Sequence, residues 1–188
     1  MSCVKREDHG KVQAGGTMEF FKTVEDRHSM RKYAGTPVEE EKLHKIFETA
    51  NKAPSAGNLQ GYEIYIVRNL KQRQALVKAA WDQEFLSEAP VVLIFCSNPD
   101  RSSVKYGDRG ASLYSIQDAT IACAYSQLAA KALGLDSVWV GAFDEKAVSE
   151  ILHLPANLRP IVMLPIGYAG KVPSVRPRRE IRDLAHET

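Results

Sequence analysis

Apolar residues recur along this chain with two periods, and the changes of period mark out its elements. Phe20, Phe21 and Val24 fall at helical spacing, so the folded part is expected to begin at Met18. Thr36-Pro37-Val38-Glu39 reads as a helix start, with Thr36 as cap, Pro37 in the first turn and Glu39 closing a capping box. Leu43, Ile46, Phe47 and Ala50 continue that helix with one apolar face, and Pro54 stops it. Tyr62 to Val67 is rich in β-branched and aromatic residues and predicts a strand, followed by a helix over 71–81. Pro90 to Cys96 is apolar throughout, as a central strand must be. Residues 99–113 are polar and contain glycine, which predicts a loop. From Ala119 to Leu133, eleven of fifteen residues are apolar and encircle the helix axis, so helix 115–133 should be buried on most sides. Gly134-Leu135 closes it as a left-handed cap with a hydrophobic follower. A short strand over Ser137 to Val140, a helix capped by Asp144 and running to about Leu152, and a strand from Ile161 to Ile166 complete the pattern.

This alternation admits a doubly wound fold, but Asn69-Leu70-Lys71-Gln72 follows the first strand where a dinucleotide fold needs its glycine-rich turn. The chain has 188 residues, 44% apolar and 26% charged, enough for one globular domain over 18–188. Residues 1–17 have almost no apolar content and read as a flexible N-terminal extension without the hydrophobic run of a signal peptide. The net charge of +2 does not suggest a nucleic-acid binder, and no apolar run is long enough to cross a membrane. Cys3, Cys96 and Cys123 are odd in number and widely spaced, which argues against a disulfide framework and favours a cytoplasmic setting. His9, His28, His44, His153 and His186 lack the spacing of a metal-ligand set, and no metal is expected.

Three clusters could carry chemistry. In Arg27-His28-Ser29-Met30-Arg31, two guanidiniums four residues apart with a hydroxyl between them could grip a phosphate; the competing reading is a solvated basic face. In Pro54-Ser55-Ala56-Gly57-Asn58-Leu59-Gln60, small residues would let a planar ligand approach the backbone, though an ordinary polar loop has the same composition. The tail carries Lys171, Arg176, Arg178, Arg179 and Arg182. Solvated charge is the usual meaning of such a run, yet one shared phosphate would account for both arginine clusters.

In this order the clusters resemble the FMN-dependent nitroreductase family. The run from Arg27 to Arg31 is similar to its phosphate motif, and Pro54 to Gln60 to its flavin-edge loop. Gln117-Asp118 with the Ala-rich helix, Trp139-Val140-Gly141-Ala142-Phe143, and Pro165-Ile166-Gly167-Tyr168 with the basic tail resemble the rest. The likeness spans about residues 18–185. It implies an α+β three-layer sandwich, with a mixed, mainly antiparallel sheet flanked by helices, in an intertwined homodimer with FMN at the interface.

By resemblance, Arg27, His28, Ser29 and Arg31 hold phosphate and ribityl, and Arg176 and Arg178 complete the grip. Pro54, Ser55, Ala56 and Asn58 of the other subunit line the ring. Gly141 and Ala142 offer backbone N–H groups near flavin N5, and Gln83 meets the ring's polar edge. The implied activity is hydride transfer from NADH or NADPH through FMN to a small acceptor such as a nitroaromatic or quinone, with no side chain as acid or base. Alternatives on the same fold are dehalogenation, flavin cleavage, heterocycle oxidation, or a flavin- or deazaflavin-binding module with little turnover. Gly61-Tyr62 stands where the family often has Pro-Trp, which predicts a less rigid loop.

Overall fold

The structure, a computed structural model, describes residues 19–171 and 177–188; the expected extension 1–17, Met18 and Arg176 lie outside them. Its centre is a sheet of β1 (Tyr62–Val67), β2 (Val91–Ser97), β4 (Arg159–Gly167) and β3 (Asp136–Ser137), in that spatial order. Every neighbouring pair is antiparallel. Outside the four strands, an isolated parallel bridge between Ser29 and Ser137 lays the Arg27–Arg31 segment along the free edge of β3.

β2 is buried from end to end, as its unbroken apolar run requires. Its side chains alternate between two cores. Val91, Leu93 and Phe95 face α2 (Glu40–Asn51) and α6 (Ser115–Ala132), meeting Leu43, Ile46, Ala122 and Cys123. Val92, Ile94 and Cys96 face the opposite core, which includes Leu76, Val77, Leu86 and Val148. Those residues come from α3 (Leu70–Ala79), α4 (Phe85–Glu88) and α7 (Glu145–Leu152). The sheet is thus the middle layer of an α+β sandwich with helices on both sides.

Several boundaries follow from local chemistry. Asp144 accepts the N–H groups of Lys146 and Ala147 and starts α7 where the sequence predicts it. After α6, Gly134 takes φ +76° and Leu135 N–H reaches back to Ala130 O at 2.9 Å, which is the expected glycine cap.

Other expectations need correction. α2 begins at Glu40, not in Thr36-Pro37, and Glu39 makes no side-chain cap. Its carboxylate instead accepts the Tyr168 hydroxyl at 2.7 Å, while Ala34 N–H bonds Tyr168 O, so tertiary contacts keep this stretch extended. Residues 99–113 are not a loop but helix α5 (Pro99–Arg109) and a π-helical turn over Gly110–Tyr114. Pro99 at the first position and Asn98 accepting Arg101 N–H are its start signal, masked by a polar composition that suits an exposed helix. The ladder expected over Ser137 to Val140 is formed at 136–137 and resumes as a bridge from Val140 to Met163. Within one chain α6 is not encircled: Tyr125 is 39% exposed, beside an exposed Ala124.

Candidate functional site

The arginine segment is fixed from both ends. Met30 N–H bonds Ser137 O at 3.0 Å, and the buried Tyr33 hydroxyl lies 3.1 Å from both Met30 O and Pro165 O. Burial raises the Tyr33 pKa well above the ordinary phenol value, so it is a permanent O–H donor. Arg27 is half-buried and forms no ion pair with a described carboxylate. Burial and the positive charge of Arg178 both press its pKa below the ordinary guanidinium value. Arg178 is thus within electrostatic reach of Arg27, and an anion bound there would offset the charge of both. Arg31 is exposed on the same segment. His28 Nδ1 donates to Asp26 O at 2.7 Å, which leaves Nε2 for a ligand. Ser29 sits at the bridge itself.

The same sheet edge continues from Ser137 to Gly141, about 13 Å at roughly 3.3 Å per residue. Gly141 and Ala142 are exposed, and no acceptor among the described residues takes either N–H. Gln83 is half-buried beside them and donates through Nε2 to Ala80 O and Ala142 O at 3.0 and 3.1 Å. Its amide hydrogens thus position the turn, and its oxygen is the group left to accept from a ligand. Asp144 N–H to Ala79 O ties the same two segments at 2.8 Å.

The loop from Pro54 to Gln60 lies elsewhere. It leads into Tyr62, which pairs with Ser97 at the far end of β2, whereas Ser137 pairs with Ile166, opposite Val91. The two clusters are separated by about 20 Å along the strands and by about 19 Å across four strand spacings. A single chain does not bring them onto one mononucleotide.

The loop is nonetheless a built element. Gly57, Asn58 and Gln60 all have positive φ, at +58°, +59° and +47°. Asp118, only 2% exposed on α6, accepts Ala56 N–H at 2.9 Å with one oxygen and Gly61 N–H at 3.0 Å with the other. Arg101 on α5 donates to the carbonyls of Leu59 and Gln60 at 3.0 to 3.2 Å. Ser55 Oγ accepts Gln60 N–H at 3.0 Å and keeps its own hydroxyl hydrogen for another partner. Pro54 and Asn58 are exposed, and Ala56 half-buried. Gly61 packs so closely under Ser102 that a Cβ would collide with its hydroxyl. Where the family often has Pro-Trp, this loop is tied instead by hydrogen bonds to Asp118 and Arg101. Sequence reasoning assigns neither residue a role at the site. Asp118 belongs to one of the motifs above, and the helix start at Asn98-Pro99 is the signal for Arg101.

Among the described residues no group of three His, Cys, Asp or Glu is placed to hold a metal, and no helix is long and apolar enough to cross a membrane.

Fold and site together define a class, and comparison with known proteins agrees. The sequence profile of the nitroreductase family matches residues 24–84 and 78–168. The chain is 29% identical over 182 residues to an FMN reductase [NAD(P)H] of Bacillus subtilis strain 168, covering 90% of this chain and 73% of that protein. It is 30% identical over 154 residues to a putative NADH dehydrogenase/NAD(P)H nitroreductase of Archaeoglobus fulgidus, covering 80% and 85%. The solved structure of the NADPH:FMN oxidoreductase from Vibrio harveyi complexed with NAD+ superposes with a TM-score of 0.82 at 26% identity, over 89% of this chain and 76% of that one. The chain belongs to the nitroreductase family.

Proposed function

We propose that this chain is an FMN-dependent oxidoreductase. It takes hydride from NADH or NADPH and delivers it to a small organic acceptor such as a nitroaromatic or a quinone. It works as a homodimer with its flavin sites between subunits. The observation that carries the reading is half-buried Arg27 lying within electrostatic reach of Arg178, with no carboxylate among the described residues paired to either. A phosphate fits that donor set, because planar guanidiniums bond its oxygens in pairs.

When bound, FMN supplies the hydride chemistry. The chain supplies grip, orientation and charge. Arg27, Arg31 and Arg178 hold the phosphate, joined by Arg176 outside the described residues. His28 Nε2 and Ser29 Oγ face the ribityl chain. About 13 Å along the same edge, the free N–H groups of Gly141 and Ala142 suit the N5 region, and the Gln83 oxygen suits a polar ring edge. Pro54, Ser55, Ala56 and Asn58 line the ring from a second copy, since in their own chain they lie at the opposite corner of the sheet. The exposed Ala124–Tyr125 face of α6 suits contact with that copy.

The test is purification of the wild type and of Arg27→Ala/Arg178→Ala, followed by flavin content and anaerobic bleaching with NADH or NADPH. Charge-assisted bonds contribute roughly 1.5–3 kcal/mol each, so the double variant should bind FMN at least about a hundredfold more weakly. Full flavin content in the double variant would refute the phosphate assignment. A wild type that is yellow but unbleached by either nucleotide would refute the reductase.

A further inference from the structure

Helix α5 and the turn after it carry a side-chain cluster that the reading above leaves unused. Lys105 Nζ lies 5.4 Å from the centre of the Tyr106 ring. Tyr106 meets Tyr114 edge to face at 5.1 Å. The Arg109 guanidinium lies 5.4 Å from the centre of the Tyr114 ring, with Nε donating to the Tyr114 hydroxyl at 3.0 Å. Two cations thus bracket an edge-to-face aromatic pair. The kink that allows this is at Gly107, whose φ of +53° and ψ of −140° break the helix between Lys105 and Arg109. No carboxylate among the described residues pairs with Lys105 or Arg109, Asp108 between them included.

The cluster stands directly on the ring-edge loop. A Cβ built on Gly57 would come within 2.7 Å of the Tyr106 hydroxyl and 3.1 Å of Lys105 Nζ. Arg101, on the same helix, holds the carbonyls of Leu59 and Gln60. α5 therefore flanks the part of the loop assigned to the flavin ring, at the corner of the sheet away from Arg27 and Arg178.

We infer that Lys105 and Arg109, with the Tyr106–Tyr114 pair between them, dock the diphosphate and adenine of the pyridine-dinucleotide hydride donor. This rests on the oxidoreductase reading above. A donor whose nicotinamide stacks on the ring must extend its diphosphate beyond the ring edge, and the arginine grip is taken up by the flavin's own phosphate. Two unneutralised cations suit the two negative charges of a diphosphate, and a half-buried aromatic pair, accessible over part of its surface, suits the edge of a base. A neutral nitroaromatic or quinone needs the rings but not the charges. Both cations already rest on aromatic faces, so little side-chain freedom is lost on binding.

The experiment uses flavin-loaded wild type and Lys105→Gln/Arg109→Gln, with Lys105→Gln alone as a second variant. Each is reduced anaerobically with NADPH, NADH and 1-benzyl-1,4-dihydronicotinamide, a donor with the same hydride and no diphosphate. NADP+ binding is titrated in parallel by flavin fluorescence. The expected result is that the ratio of kcat/KM for the dinucleotides to that for the truncated donor falls by about 2- to 30-fold in the double variant. NADP+ affinity should fall by a similar factor. An equal loss for all three donors, unaltered NADP+ affinity, or a loss confined to the acceptor's KM would overturn the docking assignment. A wild type that none of the three donors reduces would instead overturn the oxidoreductase reading, and the NADP+ titration would still decide the cluster.

Discussion

Replacing Asp118 by asparagine changes one atom of a buried carboxylate and should release one end of the ring-edge loop. The native carboxylate accepts Ala56 N–H at 2.9 Å and Gly61 N–H at 3.0 Å, one on each oxygen. An amide keeps one acceptor oxygen and turns an NH2 toward the other donor. One charge-assisted bond, about 1.5–3 kcal/mol, is lost, and a buried backbone N–H is left without a partner. The substituted amide cannot escape by rotating, because the two donors approach from opposite ends of one loop. A net loss of about 3 kcal/mol follows, which for a domain of this size lowers Tm by roughly 6–12 °C. Hydrogen exchange gives the local reading: amide protection at one of Ala56 and Gly61 should collapse in Asp118→Asn, while that of Leu93 and Phe95 falls only with global stability. FMN affinity should fall with it, because Ser55, Ala56 and Asn58 lose their fixed backbone. An Asp118→Asn protein with wild-type Tm and wild-type protection at both amides would refute the clamp.

The proposed backbone donor predicts that Ala142→Ser, which keeps the N–H, reduces FMN in stopped flow at close to the wild-type rate, whereas Ala142→Pro slows reduction at least about tenfold with FMN still bound; equal rates for the two would remove the donor. Burial pushes the Cys96 thiol up to about 12 and raises Cys123 as well. Because only the thiolate reacts, both should resist alkylation in the native protein at pH 8 and react on unfolding, as mass spectrometry of labelled peptides would read; their native rate should still be climbing with pH above 9, and a plateau near pH 9 would contradict the burial effect.

The sequence determined much of this protein, because much of its structure follows from local chemistry. The unbroken apolar run from Val91 to Cys96 is enough to place a central strand buried on both faces. Asp144 caps α7 through bonds to residues two and three positions ahead, and Gly134 ends α6 through bonds three to five positions back. The motif order also placed the chain in its family. Tertiary structure decided what depends on partners distant in sequence. Glu39 abandons its cap for Tyr168, α5 turns a polar stretch into a helix against the ring-edge loop, and Asp118 reaches back across 57 and 62 residues to hold Gly61 and Ala56. The two arginine clusters are visible in the sequence, but only the packed chain brings the charge of Arg178 to bear on Arg27. Local hydrogen bonds write helices and caps into neighbouring residues; a site assembled from opposite corners of a sheet exists only once the whole chain is packed.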